Sequence, residues 1–474
     1  MTPYFAEHAW LSDGWHRNVR LDVGSDAASS GHFLHVAPDS KRDGVDAQPL
    51  GCWVLPGIPN LHSHAFQRAM AGLAERQTNP EDSFWTWREV MYGFAAKLTP
   101  DTLRDVAAML YVEMLEAGYT SVCEFHYLHH APDGKPYADA AAMSLALIEA
   151  ARETGIGLTL LPTLYMQGGF DGRALSERQR RFGHDIDGYL ALIERLRALE
   201  HDRLRVGLCF HSLRAVPEDA MHAVLSATRD ALMPVHIHIA EQIGEVQDCL
   251  ALRNARPVEW LLDRMPIDFR WTLVHATHMT PDETRALAER GATVAICTTT
   301  EANLGDGLFP LRAFLEAGGQ WGVGSDSQIS VSPVEELRWL EYGQRLAARR
   351  RNIAVLPQMS SSGECLYAHA LSGGARGTMQ SVGWFQGPDS ENSDADSGPR
   401  GTRADFVVLE DTAPELASAL PSNLLDRWIF SGNRNLVRDV YVGGERVVQM
   451  GRHRLREVIE ARYRHALAGL LATS

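Results

Sequence analysis

The chain has 474 residues, of which 45% are apolar, and this length fits a large barrel together with a smaller companion domain. The net charge of −15 comes from 45 basic and 60 acidic residues, and no run of like charge is long enough to hold phosphates or lipid headgroups. We therefore expect neither nucleic acid nor a membrane surface as a partner.

The six cysteines are spread singly along the chain, without a CxxC pair or a turn-rich cluster. This usage predicts reduced thiols in a core and indicates a cytoplasmic protein. The N-terminus lacks the basic stretch and apolar run of a signal peptide, and no apolar segment reaches the roughly 18 residues of a membrane span. We expect a soluble, unprocessed chain.

Residues 1–55 predict short strands broken by Asp, Gly and Ser. From residue 56 onward, short apolar runs alternate with longer segments of helical period, which is typical of βα units around a parallel sheet. The predicted strands are 57–61, 121–125, 158–164, 206–210, 235–239, 272–275, 293–297 and 322–324. The predicted helices are 101–117, 138–154, 185–200, 217–230, 243–253, 281–290, 310–317 and 332–350. This pattern predicts an α/β fold with a (β/α)8 TIM barrel over residues 56–380.

The C-terminal part of the chain departs from this alternation. Residues 386–402 are polar and rich in Gly, Pro and Ser, which predicts a flexible loop over 381–402. Strand-like segments and a terminal helix follow within 403–474, and the N-terminal strands are their most economical partners. We therefore predict a small β-sandwich domain made from both chain ends, residues 1–55 and 403–474.

The first chemical motif is His62-Ser63-His64 at the end of the first barrel strand. The period of two along a strand points both imidazoles the same way, into the barrel mouth, where they can chelate one ion. In a chain with 20 histidines, chance alone gives about one pair at this spacing. The pair therefore needs support from elsewhere in the chain.

That support comes from three later strands. His238 and Glu241 end the fifth strand, His275 ends the sixth, and Asp326 follows the eighth. Alone, Asp326 would more often be a turn residue or a helix cap. Together these side chains fall at the carboxyl ends of barrel strands, where barrel enzymes keep their chemistry, and they predict a metal site.

The donor set indicates which metal to expect. Neutral imidazoles with one carboxylate suit zinc, and three or four protein ligands leave a position for water. Zinc lowers the pKa of such a water to about 7. Iron remains an alternative for the same ligands.

This pattern of HxH, two later histidines and an aspartate resembles the amidohydrolase superfamily. The binuclear members of that superfamily use a modified lysine after strand four, but the lysines here are Lys41, Lys97 and Lys135, outside that strand. The resemblance therefore implies a mononuclear deaminase, with His238 as a ligand and Glu241 as the proton shuttle. His236 is then interpreted as a core histidine.

Three longer stretches, 60–70, 124–130 and 299–307, are similar to the formiminoglutamate deiminase family of histidine degradation. This resemblance implies hydrolysis of N-formimino-L-glutamate to N-formyl-L-glutamate and ammonia in a homodimeric enzyme with one zinc ion per chain. The implied metal ligands are His62, His64, His238 and Asp326. The implied catalytic residues are Glu241, His275 and Asp326. The implied substrate-binding residues are Gln67, Arg88, Tyr127, His211 and Arg214.

A small-molecule dianion as the substrate agrees with the two arginines in that set, because a guanidinium binds a carboxylate through two hydrogen bonds. A single arginine taken alone would more often form a surface ion pair. The chain departs from the family pattern at Gln328, where the resemblance leads us to expect a histidine. This difference affects a secondary contact. Two alternatives remain: another deaminase of the superfamily, acting on guanine, adenosine derivatives or triazines, and a non-catalytic barrel assembly protein.

Overall fold

A computed structural model describes residues 1–27, 29–41, 47–75, 84–357, 359–388 and 401–472. The strands are β1 (Thr2–Leu11), β2 (Gly14–Val23), β3 (Phe33–Ala37), β4 (Gln48–Pro56), β5 (Ile58–Ser63), β6 (Tyr119–His126), β7 (Gly157–Leu164), β8 (Leu204–Val206), β9 (Leu208–Ser212), β10 (Val235–Ile239), β11 (Trp271–His275), β12 (Thr293–Ile296), β13 (Gln320–Val323), β14 (Phe406–Leu409), β15 (Val437–Val442), β16 (Glu445–Gln449) and β17 (Arg452–His453).

The helices are α1 (Phe84–Ala95), α2 (Pro100–Ala117), α3 (Ala142–Thr154), α4 (Ile186–Arg197), α5 (Glu218–Ala227), α6 (Ile243–Arg253), α7 (Pro257–Arg264), α8 (Pro281–Glu289), α9 (Thr298–Leu304), α10 (Leu311–Glu316), α11 (Pro333–Ala348), α12 (Ser362–Thr378), α13 (Leu424–Phe430) and α14 (Arg456–Ala472). None of them, within the described ranges, is long and apolar enough to cross a bilayer.

Strands β5 to β13 form the parallel barrel, in the order β13-β12-β11-β10-β9-β7-β6-β5, with β8 paired to β7. Its two edge strands meet through backbone bonds at their carboxyl ends, where Asp326 N donates to His62 O at 2.9 Å and His64 N donates to Asp326 O at 3.2 Å. The barrel is therefore nearly closed, and the predicted fold class is confirmed.

The fourth barrel strand differs from its prediction. The pattern predicts one strand over 206–210, whereas β8 and β9 are separated at Gly207. A Cβ at that position would lie 2.6 Å from the Leu161 side chain and 2.7 Å from the Pro234 ring. A glycine is needed because the strand passes its neighbours so closely, and the break follows from that approach.

Helix α12 was missed because its sequence is rich in glycine. Those glycines let the helix lie directly against the barrel, since a Cβ on Gly373 would fall 1.9 Å from Trp321 O. Near its C-terminus, Gly377 O accepts a bond from His236 Nε2 at 3.0 Å. His236 is fully buried, which agrees with its interpretation as a core histidine. Helices α1, α7, α9 and α13 were also absent from the predicted set.

The small domain is one continuous sheet in the order β17-β16-β15-β14-β4-β1-β2-β3. Strands from both chain ends meet where β4 pairs antiparallel with β14. The sheet folds over on itself, because the rings of Phe33 in β3 and Phe406 in β14 lie 6.3 Å apart across a second hydrophobic core. Strands β1 and β2 have 10 residues each and are longer than the short strands predicted for 1–55.

Most of the predicted flexible loop over 381–402 lies outside the described residues, since 389–400 are not described. The predicted domain boundaries stay predictions.

A buried ion pair joins the barrel to the small domain. Arg403 and Asp405 are 2% and 1% exposed, and Arg403 Nη2 lies 2.6 Å from Asp405 Oδ2. Arg403 Nη1 also donates to Asp202 O at 2.9 Å, and Gly443 N donates to Asp405 Oδ1 at 2.8 Å. The pair therefore connects segments of both domains.

We predict that Asp405→Asn lowers the free energy of unfolding by about 3–5 kcal/mol, because it leaves a buried guanidinium without its counter-charge. Denaturant titration followed by fluorescence measures this change. The control is Glu149→Gln, which should lower the free energy of unfolding by less than about 1 kcal/mol. The side chains of Glu149 and of its partner Arg152 are 46% and 71% exposed. Equal effects of the two substitutions would contradict the prediction.

Candidate active site

Four donor atoms converge at the carboxyl end of the barrel. His62 Nε2 lies 3.2 Å from His64 Nε2 and 3.0 Å from His238 Nε2. His64 Nε2 and His238 Nε2 are 3.3 Å apart. Asp326 Oδ1 lies 3.3 Å from His62 Nε2 and 3.5 Å from His64 Nε2. The four side chains named as ligands from the sequence are therefore brought together.

Hydrogen bonds on the far side of two rings settle which nitrogen faces the cluster. His64 Nδ1 lies 2.8 Å from Phe125 O, and His238 Nδ1 lies 3.0 Å from His211 O. A carbonyl only accepts, so Nδ1 must carry the proton and Nε2 must present its lone pair. Both Nε2 atoms are therefore ready to ligate.

Burial keeps the three imidazoles neutral. It lowers the pKa of His62 to about 3, against the opposing effect of the hydrogen-bonded Asp326. Burial also lowers the pKa of His64 and of His238. Neutral rings are the form that binds a metal.

The separations also fit a metal ion. Ligands about 2.0–2.1 Å from a tetrahedral zinc ion lie about 3.3 Å from one another. The donor atoms of His62, His64, His238 and Asp326 all lie within 4.8 Å of one another, and most of the measured pairs are close to the tetrahedral value. The cluster can hold one divalent ion.

A second set of titratable side chains lies on the side of Asp326 that faces away from the ligand cluster. His275 Nε2 is 3.8 Å from Asp326 Oδ2 and 3.7 Å from Glu241 Oε1. Its Nδ1 lies 3.3 Å from Glu301 Oε1. Burial lowers the pKa of His275, but these three carboxylates outweigh burial and raise it to about 10. Burial raises the pKa of Glu241, although His275 opposes that rise.

The backbone is strained where these side chains leave their strands. Ala240, His275, Asp326 and Gln328 have φ angles of 49°, 67°, 44° and 63°. Such left-handed conformations are unfavourable for residues with a Cβ and persist only where surrounding contacts hold them. One such contact is Glu245, whose carboxylate accepts from Ala240 N and from Glu241 N, both at 3.2 Å.

Buried polar groups support the first barrel strand from behind. Glu124 accepts from Ser63 Oγ at 2.7 Å and from Ala65 N at 2.6 Å, and burial raises its pKa to about 8. Gln328, the residue found where histidine was expected, donates to Ser63 Oγ at 3.0 Å and to Asp326 O at 2.6 Å. Gln328 therefore holds the segments of two ligands together.

A cavity opens from the ligand cluster and is lined by all five residues named for substrate binding: Gln67, Arg88, Tyr127, His211 and Arg214. Gln67 Nε2 donates to Tyr127 OH at 3.1 Å. Arg88, on α1, donates to Tyr165 OH at 3.4 Å and lies 5.3 Å from the centre of the Tyr92 ring.

The second arginine of the cavity faces the same space. Within the described residues, Arg214 forms no ion pair, and its Nε is buried without a hydrogen-bond partner. Burial lowers the pKa of His211, and the nearby Arg214 and Arg88 lower it further. The cavity therefore contains two guanidinium groups together with the carboxylates of Glu241 and Asp326.

Sequence reasoning missed several residues here. Tyr92 and Tyr165 line the cavity, and Glu301 contacts His275. Tyr165 directly follows β7, so its place at the carboxyl end of a strand could have identified it. Glu301 lies within the stretch 299–307, which carried the resemblance, but no role was given to it. Tyr92 lies on α1, a helix that was not predicted.

Comparison with known proteins agrees with this arrangement. The sequence pattern of the amidohydrolase family matches residues 53–361. The chain belongs to the amidohydrolase family. This amidohydrolase is 52% identical to the formimidoylglutamate deiminase of Pseudomonas aeruginosa over 454 residues, which cover 96% of each chain.

Solved structures share the architecture. An amidohydrolase from Brucella melitensis is 43% identical, with a TM-score of 0.90 over 99% of this chain and 100% of the other. An adenosine deaminase from Xanthomonas campestris, solved with bound zinc, is 19% identical, with a TM-score of 0.80 over 99% of this chain and 98% of the other. The second likeness shows the fold alone.

We predict one tightly bound divalent ion per chain, and its loss in His62→Ala or His64→Ala, because either change breaks the chelating pair. Elemental analysis after gel filtration measures the metal content. His236→Gln is the control, since this side chain faces Gly377 O and not the ion. Two tightly bound ions, both needed for turnover, would contradict the prediction.

Proposed function

We propose that this amidohydrolase converts N-formimino-L-glutamate and water into N-formyl-L-glutamate and ammonia, within histidine degradation. The observation that carries the proposal is the charge arrangement of one cavity. Arg88 and Arg214 line the same cavity as Glu241, His275 and Asp326, and that cavity also reaches the ligands His64 and His238. The name of the Pseudomonas aeruginosa relative supports the same substrate.

The two arginines of the cavity suit the two carboxylates of a glutamate. Each arginine can grip one carboxylate through two parallel hydrogen bonds. Gln67 and Tyr127, already bonded to each other, offer further polar contacts along the wall. With its carboxylates held by the arginines, the substrate would reach the metal ligands with its formimino group.

His62, His64, His238 and Asp326 would hold one ion, which we propose to be zinc, with iron as the alternative. When bound, such an ion makes a water molecule nucleophilic near neutral pH. His275 Nε2 and Asp326 Oδ2, which lie 3.8 Å apart, would orient that water toward the formimino carbon. Glu301 holds the other nitrogen of His275 and so fixes the ring.

Glu241 would move the proton. It lies three residues beyond His238, outside the ligand cluster, and it lines the cavity. Its carboxyl group can take a proton from the attacking water and give it to the nitrogen that leaves as ammonia. Burial favours the protonated form that donates in this second step.

We also propose a reducing compartment, the cytoplasm, because all six cysteines are free and five of them are buried. Assembly as a homodimer stays a prediction.

We predict that Glu241→Gln keeps its metal but lowers kcat by about 10²-fold or more, the usual scale for losing a positioned proton donor. Steady-state ammonia release, measured with the metal content of the same sample, checks this outcome. Near-normal turnover in the substituted enzyme would show that another group carries the proton.

We predict that Arg88→Ala and Arg214→Ala each lower kcat/KM for N-formimino-L-glutamate by a factor equivalent to about 2–5 kcal/mol, with normal metal content. Each change would leave a substrate carboxylate desolvated and unpaired. The control is Arg173→Ala, because Arg173 is exposed on a loop at the same end of the barrel.

The same assay separates the alternative substrates. Guanine and adenosine carry no carboxylate and should be poor substrates. Faster turnover of a purine, or unchanged kcat/KM in both arginine variants, would reject N-formimino-L-glutamate and leave the general deaminase interpretation.

A further inference from the structure

A second group of potential metal ligands lies beside the first and shares one residue with it. His275, Cys297 and Asp326 each offer one donor atom, and these three atoms all lie within 4.8 Å of one another. All three side chains are buried. Glu241 lies next to this group, since its Oε1 is 3.7 Å from His275 Nε2.

His275 is arranged as a metal ligand usually is. Glu301 Oε1 lies 3.3 Å from its Nδ1 and can accept the proton on that nitrogen. When a cation displaces the proton on Nε2, the lone pair of that atom faces Glu241 and Asp326. A carboxylate on the far nitrogen is the common way in which proteins orient a ligating histidine.

Asp326 can serve both groups because its two oxygens point to different sides. Oδ1 lies 3.3 Å from His62 Nε2, within the first cluster, whereas Oδ2 lies 3.8 Å from His275 Nε2. Adjacent metal sites in enzymes are about 3.5–4 Å apart, a distance that one bridging carboxylate spans.

Cys297 makes this second group chemically distinct. It follows β12 and precedes α9, and its thiol is fully buried. A thiolate selects borderline or soft cations such as zinc, cobalt and cadmium over magnesium and calcium. The surrounding Glu241, Glu301 and Asp326 carboxylates add negative charge that favours a cation.

We propose that His275 Nε2, Cys297 Sγ, Asp326 Oδ2 and the Glu241 carboxylate form a second, weaker site for a zinc-like divalent ion, and that its occupation inhibits the enzyme. Binding releases to solvent the protons of the Cys297 thiol, of His275 Nε2 and of the Glu241 carboxyl group, and the thiolate sulfur becomes a ligand. The inhibition rests on the proposed function, because the ion would occupy Glu241 and His275. The binding itself does not depend on any substrate.

The test is a cobalt titration of protein that already holds one equivalent of metal. We expect a second equivalent to bind more weakly, with a thiolate-to-cobalt charge-transfer band in the near ultraviolet, and turnover to fall in parallel. In Cys297→Ala the first ion should remain and turnover with one equivalent should persist. The charge-transfer band should disappear, and the affinity of the protein for the second ion should fall by at least about tenfold.

Cys249→Ala is the matched control, because it removes another buried thiol, one on α6, and should leave the band unchanged. If Cys297→Ala does not fold, Cys297→Ser provides the same comparison, since an alcohol is a far poorer ligand for these metals. The proposal would be overturned if no second equivalent of cobalt bound. It would also be overturned if the band and the affinity for the second ion stayed unchanged in the variant without the Cys297 thiol. Because affinity and spectrum need no substrate, an error in the proposed reaction would leave both signals intact.

Discussion

The closure of the barrel at Asp326 is the contact on which the rest of the site depends. The backbone of this one residue bonds to His62 O and to His64 N, and its carboxylate faces the Nε2 atoms of the same two histidines. The seam of the barrel is therefore also the metal cluster. Any shift between β5 and β13 would change the ligand separations, and a bound ion would in turn hold the seam closed.

The buried histidines on the two sides of that seam differ in their charge. On one side burial keeps His62, His64 and His238 neutral, and the Nε2 atoms of all three rings face one point. On the other side, carboxylates surround His275 and favour its charged form despite burial. Water-poor surroundings strengthen both effects, because charges interact more strongly where the dielectric constant is low. A single end of one barrel thus holds a cluster of neutral imidazoles and, beside it, a histidine that favours its charged form.

The sequence predicted the parts of this site that follow from strand geometry. The ends of the predicted strands placed His62, His64, His238, His275 and Asp326 at one face, because parallel barrel strands all end there. The period of two also explained why His62 and His64 face the same way. Arg88 and Arg214 came from a family resemblance, and no local pattern could have placed them in the same cavity.

What the sequence did not predict depends on contacts between distant segments. The glycines of α12 have low helix propensity, and only the close approach of Gly373 to Trp321 explains them. The break at Gly207 likewise depends on Pro234, which is a neighbour in space and not in the chain. Gln328 acts through bonds to Ser63, 265 positions away, so its role could not be inferred from the expected histidine alone.

The pairing of β4 with β14 has a consequence for biosynthesis. Residues 48–56 emerge from the ribosome long before residues 406–409, and the whole barrel lies between them in the chain. Until then the open edge of β4 has no strand to pair with, and an unpaired edge is where nascent chains associate wrongly. A ribosome-bound chain could complete its barrel and still expose this unpaired strand edge until β14 is made.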